Sequence, residues 1–404
     1  MILVDDALRI VLENAPRLPA EEVALAEALG RMLAADVASD VALPPFDRSA
    51  MDGYALRVED LATVPALLEV VGQVRAGEMP RGAVGQGQAI QIMTGAPVPA
   101  GATAVQPVEM TRSLEGGRRV EIVARVAAGA NIAPCGSEVS QGQLVLTRGT
   151  MVTPAVMAVL AAIGGARVSV GRRPRVKVLV TGDELVEVTE RPLGGQIRNS
   201  NGCALMAQAR LAGAQVETLG VAPDDLERIA AGVERGLDAD VLLVSGGVSE
   251  GLYDLVEPAL ERFGVELLFT KVAIKPGAPL VFGRRGGALV FGLPGNPVSA
   301  QVTFDLFVRA ALLAMQGAST VSRPRVEAEI TATVKNRSGR RAHSPARVMW
   351  EAGRLLAHPL RSLGSADMVA HARANALLVM EADRLQAEAG ERLPAILLAD
   401  LLSS

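Results

Sequence analysis

Aromatic residues are scarce in this chain, with seven Phe, two Tyr and one Trp in 404 residues. Aliphatic side chains, chiefly Ala, Val and Leu, must therefore build the core of a sequence that is 50% hydrophobic. Cysteine is almost absent. Cys135 and Cys203 cannot form a disulfide framework, and a reducing cytoplasmic setting fits them. The three histidines, His343, His358 and His371, lie in the last quarter at no metal-ligand spacing. That argues against a dedicated zinc site and a His-based triad. A metal here would be a hard cation such as Mg²⁺, held by carboxylates and phosphate. No apolar run reaches the roughly 18 to 20 residues of a membrane span. The start, Met1 to Asp6, lacks the basic segment of a signal peptide. Net charge is −4 with no long basic run, which argues against nucleic acid as the main partner. An anionic substrate would need local positive charge against this background.

Two of the few rings sit together in Pro45-Phe46-Asp47-Arg48-Ser49-Ala50-Met51-Asp52-Gly53-Tyr54-Ala55. A core strand would not set Asp-Arg-Ser and Asp-Gly beside Phe and Tyr. Surface loops seldom carry two rings. Two readings stand: an ordinary structured turn, or a fixed loop presenting Asp52 from a glycine-supported turn.

Apolar spacing predicts helices over Val4 to Asn14 and Ala20 to Ala35, with Pro16 and Pro19 between them. Residues 41–139 change character, with recurring glycines and short strands near Leu67 to Val71, Ala89 to Met93 and Val120 to Val126. Helix returns within 140–170, where Thr153-Pro154 reads as a start and Gly164-Gly165 as an end. The expected plan is thus a discontinuous helical linker domain (1–40 and 140–170) with an inserted β-rich domain (41–139). From 171 to 318, strands alternate with helices over Ser200 to Leu211, Asp225 to Gly236, Tyr253 to Phe263 and Asn296 to Met315. That rhythm predicts a doubly wound, mostly parallel α/β domain. Residues 319–404 read as a C-terminal β domain, with strands near Val326 to Val334, Val348 to Glu351, Ala376 to Glu381 and Glu391 to Leu397.

Ligands of open α/β sheets bind at the carboxyl ends of the strands. Four polar clusters follow strands there: Thr181-Gly182-Asp183-Glu184, Asp224-Asp225, Ser245-Gly246-Gly247-Val248-Ser249 with Asp254 after it, and Leu293-Pro294-Gly295-Asn296-Pro297-Val298-Ser299. Glycines let backbone amides approach an oxyanion, and carboxylates at the same edge suit a cation bridging phosphates. Each cluster alone has a plainer reading, Asp-Asp as a helix cap and Gly-Gly as a turn. Four at one edge favour a site. Lys271 and Lys275 flank Val-Ala-Ile, a poor solvated face, and an anion explains them better than solubility does. Arg198-Asn199-Ser200-Asn201 reads equally as a donor set for a heteroaromatic edge or as capping, with Ser200 or Asn201 as the cap. Thr94, after the strand ending at Met93, reads first as bonded to its own turn and second as a ligand contact.

Taken together, Phe46 to Ala55, Ile92 to Pro99, Thr181 to Leu185, Gly195 to Ile197, Ser245 to Ser249, Ala273 to Gly277 and Gly292 to Ser299 resemble the molybdopterin molybdenumtransferase family, the MoeA type that includes the gephyrin E domain. Ser-Ala-Met-Asp-Gly-Tyr-Ala and Gly-Leu-Pro-Gly-Asn-Pro-Val-Ser are the most specific matches. The resemblance implies a Mg²⁺-dependent transferase of molybdenum cofactor biosynthesis. Its substrates would be molybdate and adenylylated molybdopterin, with release of AMP. A homodimer whose site is shared between subunits is implied, as is a molybdopterin-adenylylating enzyme as upstream donor. No nucleic acid or membrane partner is expected.

By the same resemblance, Glu184 and Asp254 are expected at the metal, with Asp224 near the metal and phosphates. Lys271 and Lys275 match basic positions for the anion. Ser245, Gly246, Gly247 and Ser249 match the phosphate-facing turn, and Pro294 and Pro297 the stiffening prolines. Asp52 and Thr94 match positions reaching in from a partner subunit. Ser365 and Arg347 match positions linked to molybdate. This chain departs from the family at Ala133 to Val139, where Glu138 stands for an aspartate. Ala278 replaces a second lysine, Glu250 and Leu252 differ, and the stretch Arg340 to Arg347 lacks its usual aromatic. Those departures support an alternative, a weakly active or non-catalytic paralogue that binds molybdopterin or a partner as a scaffold.

Overall fold

The structure is a computed structural model that describes residues 1–248, 255–399 and 401. The chain forms two compact units, one of residues 1–35, 148–157 and 167–404, the other of residues 36–147 and 158–166.

The second unit is built on a six-stranded sheet. Its order is Ala104–Pro107, Gly53–Leu56, Gln88–Ile92, Ala66–Val74, Arg119–Ile122 and Thr111–Leu114. Only the Ala66–Val74 and Gln88–Ile92 pair is parallel. Side chains alternate between faces along a strand. Accordingly Tyr54, Leu56, Leu68, Ala89, Ala104 and Val120 share one cluster, while Ala55, Val74, Ile90, Ile92 and Val105 share another. Both faces are covered, so all four residues of Gly53–Leu56 are buried. Gly53 is required by close approach, because a Cβ there would lie 1.9 Å from the Gln106 carbonyl oxygen.

In the first unit the α/β sheet runs in the order Gln215–Ala222, Arg175–Thr181, Val241–Ser245, Ala288–Leu293, Pro279–Arg285 and Glu266–Lys271. The first four strands are parallel, and the last two pairings are antiparallel. The sheet is therefore mostly parallel, as the alternation of strand and helix indicated. Val176, Val178, Val180, Leu243 and Phe291 face one core, and Leu179, Leu242, Val244 and Val290 face the other. Two-sided burial of a parallel sheet demands such continuous apolar strands. The rare rings concentrate here: Phe282 lies between Phe269 and Phe291, with centroids 5.4 and 4.8 Å apart. Phe304 and Phe307 join the same core from the helical run after Asn296. That run, Pro297–Met315, is long and apolar enough to cross a membrane, yet 78% of its most apolar window is buried inside the fold. It is α-helical over Pro297–Thr303 and Arg309–Met315, with a π-helical turn at Phe304–Val308 between.

The C-terminal strands close on themselves. Arg341–Glu351, Arg354–Pro359, Arg325–Ile330, Arg392–Leu397 and Ala376–Met380 form a sheet whose last strand also pairs with Arg341–Glu351. Closure removes unpaired edges and encloses Ala328, Ile330, Ala346, Val348, Leu378 and Ala395. The two-residue strand Ile274–Lys275 adds in parallel to Arg341–Glu351.

Several expected elements differ. Ala20 to Ala35 is not helical. Ala20–Ala24 is a strand paired antiparallel with Arg167–Gly171, Leu25–Glu27 is one 3₁₀ turn, and Met32 and Leu33 are buried beside further bridges. Tertiary pairing overrides the helix-favouring alanines there. The helix cap is Asn199, whose side chain accepts from the Gly202 N–H, not Ser200 or Asn201. The strand expected over Val326 to Val334 divides into Arg325–Ile330 and Val334–Lys335. Strand Arg354–Pro359 is an addition to the expected set; it pairs antiparallel with Arg341–Glu351. The helix expected from Tyr253 is described from Val256 to Arg262.

Candidate functional site

The four sheet-edge clusters converge on one cavity of about 830 Å³. Thr181, Gly182 and Glu184 come from the first strand end, and Asp224 follows the second. Ser245, Gly246 and Gly247 follow the third, and Pro294, Gly295, Asn296 and Pro297 the fourth. Ser249 and Asp254 lie outside the described residues. Parallel strands all direct their carboxyl ends to one edge, which brings together residues more than a hundred positions apart.

Gly246 shows why the turn needs glycine. Its φ is +102°, and a Cβ would meet the Thr181 carbonyl oxygen at 2.5 Å and its Oγ1 at 2.7 Å. Ser245 is fully buried. Its Oγ accepts from Asn201 Nδ2 at 2.9 Å, and the same Nδ2 donates to the Gly295 carbonyl at 2.8 Å. Asn201 therefore ties two cavity loops together from the first turn of its helix. It is neither the helix cap nor, in this arrangement, a free donor. Thr181 Oγ1 is buried in the cavity wall without a hydrogen-bond partner.

The Asp-Asp pair divides its labour. Asp225 caps Leu226–Gly236 through the Arg228 N–H, as its plainer reading held. Asp224 lines the cavity, and its N–H donates to Asp183 Oδ1 at 3.0 Å. Burial first, and then the Asp183 and Glu184 carboxylates, push the Asp224 carboxyl above its ordinary range, against a hydrogen bond from the Asp183 backbone. This crowding of carboxylates around a desolvated acid fits a hard cation, which would relieve it. Among the described residues no three acidic, His or Cys side chains are grouped as a preformed metal cluster.

A second cavity, of about 550 Å³, shares Pro279, Pro294 and Asn296 with the first. Lys275, Lys335 and Arg340 line it together with Ser299, Ser344, Ser362 and Ser365, and no carboxylate lines it among the described residues. Cations and hydroxyls without an acid suit an oxyanion. Ser365 is held where the Val298 N–H donates to its carbonyl at 3.0 Å. Asp367, two residues on, accepts from the N–H groups of Leu363 and Ala370 and fixes the loop. Buried Asn336 donates to the Arg340 carbonyl at 2.8 Å, which fixes the turn carrying Arg340.

Arg347 lines neither cavity; it is exposed on its strand opposite His358, and Arg340 and Lys335 occupy the cavity instead. The repeated arginines from 337 to 347 made that choice illegible without the strand register. Lys275 lines the second cavity, whereas Lys271 lines neither. Lys271 ends its strand opposite Pro279 and accepts the Ile2 N–H on its carbonyl.

Asp52 and Thr94 meet in the other compact unit. Thr94 donates to Asp52 Oδ1 from its backbone N–H at 2.6 Å and from its hydroxyl at 2.8 Å. Thr94 is thus bonded to Asp52 on another loop and not to its own turn. The loop at 47–52 is pinned along its length: Ser49 N–H to Ala96, Gly95 N–H to Ser49 and Val98 N–H to Asp47. Asp47 Oδ1 accepts the Cys135 N–H at 2.7 Å, and Arg48 pairs with Glu138 at 2.9 Å. Glu138, although longer than the aspartate expected there, thus buttresses the loop.

Fold and cavities together define a multidomain α/β protein with a glycine-lined cavity at the carboxyl edge of a doubly wound sheet. Residues 2–164 match the MoeA N-terminal region (domain I and II), residues 177–314 the probable molybdopterin binding domain, and residues 327–398 the MoeA C-terminal region (domain IV). The molybdopterin molybdenumtransferase of Bacillus subtilis is 36% identical over 406 residues, covering 99% of this chain and 94% of the relative. Molybdopterin molybdenumtransferase 2 of Mycobacterium tuberculosis is 38% identical over 409 residues, covering 96% of this chain and 98% of the relative. The crystal structure of the molybdopterin biosynthesis moeA protein from Pyrococcus horikoshii superposes with a TM-score of 0.84 at 32% identity, covering 98% of this chain and all of that one. The chain belongs to the molybdopterin molybdenumtransferase family.

Proposed function

We propose that this protein is a molybdopterin molybdenumtransferase, which inserts molybdenum from molybdate into adenylylated molybdopterin and releases AMP. The observation that carries the reading is the pair of adjoining cavities. One is glycine-rich with carboxylates and the other is cationic, and Pro294 and Asn296 stand between them. The adenylylated pterin occupies the first cavity, where the Gly246-Gly247 turn faces its phosphates. Molybdate occupies the second, held by Lys275, Lys335, Arg340 and the hydroxyls of Ser344 and Ser365.

Glu184 and Asp224, with Asp254 by family resemblance, would hold Mg²⁺. When bound, the ion supplies charge neutralisation at the phosphates flanking the scissile linkage. Lys275 keeps the oxyanion's charge compensated, and the Asn201 hydrogen bonds keep the two loops in register so that both ligands meet across the Pro294 wall. No covalent protein nucleophile is needed. The protein acts as a homodimer, with Asp52 and Thr94 supplied by the partner subunit, downstream of an enzyme that adenylylates molybdopterin. Free Cys135 and Cys203 support a reducing, cytoplasmic setting.

The purified protein tests this directly. With adenylylated molybdopterin, molybdate and Mg²⁺ it should release AMP and form cofactor that activates an apo-molybdoenzyme. Binding of the pterin without AMP release would favour a scaffold paralogue instead. The departures at Ala278 and 133–139 motivate that second reading.

A further inference from the structure

His343 is a buried group that the proposed reaction does not use. It lines the second cavity yet is only 3% exposed, and its Nδ1 has no hydrogen-bond partner. Strand Arg341–Glu351 places it opposite Val379, next to Ala342, which pairs with Lys275. The charged groups around it are Arg341, Arg325 and Asp5, beside Lys275, Lys335 and Arg340 in the cavity wall. Arg341 is itself engaged by Asp5 at 2.7 Å and by Glu381 at 2.8 Å. Burial first, then Arg341 and Arg325, depress the imidazole to about 3, so the ring is neutral at physiological pH.

Nδ1 is sealed inside the fold, whereas Nε2 has no hydrogen-bond partner in the protein and is not sealed, so Nε2 is the nitrogen left for a ligand in the cavity. We propose that His343 is a specificity-determining residue of the second cavity, whose neutral imidazole hydrogen-bonds the tetrahedral oxyanion that Lys275, Lys335 and Arg340 attract. The inference rests on reading that cavity as the oxyanion subsite. The cations set the charge the cavity accepts. The imidazole adds direction without adding charge. No protein acceptor fixes its tautomer, so it offers an N–H to a bare oxyanion oxygen or a lone pair to a protonated one. An aromatic carbocycle at 343 would fill the same volume and offer neither.

Molybdate binding to the full-length protein, measured by calorimetry at pH 7.5 with no pterin present, tests this. His343→Phe should weaken molybdate about tenfold or more, as expected for losing a hydrogen bond to a charged group. His343→Gln, which restores a neutral amide donor, should recover to within about threefold of wild type. Molybdate binding by His343→Phe equal to wild type would overturn the inference. Loss in Lys275→Ala but not in His343→Phe would keep the oxyanion subsite and remove His343 from it. Absence of saturable molybdate binding in the wild type would overturn the subsite reading and the inference with it. Should His343→Phe not fold, imidazole NMR of the wild type decides. A shift of the His343 ring resonances on adding molybdate is expected, and none would refute the contact.

Discussion

Thr94 spends both its backbone N–H and its hydroxyl on a single oxygen of Asp52, leaving the other carboxylate oxygen of that residue open to a ligand. The two hydrogen bonds, the backbone one first, hold the Asp52 carboxyl below its ordinary range, so it stays ionised well into acid. Asp52→Ala should lower turnover by roughly tenfold or more. It should leave the fold unchanged, because both side chains are exposed. A large fall in melting temperature with little loss of turnover would show that the pair serves the loop alone.

A shared site predicts complementation. Asp52→Ala and Lys275→Ala should each be nearly inactive as homodimers. Co-expressed, they should form heterodimers in which one of the two sites is intact. Random pairing then gives about a quarter of wild-type activity. No recovery in isolated heterodimer would show that Asp52 and Lys275 serve the same chain's site.

Asn201 offers a test within one compact unit. Its Nδ2 bridges Ser245 and Gly295, and it is 8% exposed. Asn201→Ala should cost about 1–3 kcal/mol of stability through loss of the donor to the Ser245 oxygen and the Gly295 carbonyl. Its effect on KM for the pterin should exceed its effect on molybdate affinity. Urea unfolding and substrate titration read the two separately.

Gly53 and Gly246 were conspicuous in the sequence for different reasons, and the structure distinguishes them. At Gly53 the limit is a neighbouring strand 1.9 Å from an added Cβ, so Gly53→Ala should destabilise by about 1–3 kcal/mol or more. At Gly246 the limit is also backbone, at φ +102°. Gly246→Ala should therefore distort the turn and abolish pterin binding while the second cavity still binds molybdate.

Acid stability should carry the signature of His343. Its imidazole titrates near the ordinary 6.5 when unfolded and at about 3 when folded. Between those values the unfolded chain binds the extra proton, so stability falls as pH falls through that window. The slope is at most about 1.4 kcal/mol per pH unit for one group. Burial of His371 lowers its pKa too, with the same sign. His343→Gln should flatten the decline in unfolding free energy between pH 6 and pH 4. A slope identical to wild type would show that residue 343 does not titrate as described.

Much of this architecture was legible before the fold was seen, because the α/β region announces itself twice. Continuous apolar strands such as Val241–Ser245 reflect burial on both faces, and a polar cluster after each strand marks the shared edge. Strand Ala20–Ala24 was hidden because its partner, Arg167–Gly171, lies about 145 residues away, and local helix propensity carries no trace of that pairing. The site divides in the same way. Asp224, Ser245 and Pro294 announce themselves by position after a strand. Arg340, Lys335 and His343 do not, since only closure of the C-terminal sheet and the added strand Ile274–Lys275 bring them to Lys275.

Molybdenum itself reports on the proposed division of labour between the two cavities. Crystals of the protein soaked with molybdate and measured at the molybdenum absorption edge should show an anomalous peak in the second cavity, among Lys275, Arg340, Ser365 and His343. A peak among Glu184, Asp224 and Gly246 in the first cavity, or no ordered molybdenum at all at saturating molybdate, would contradict the account.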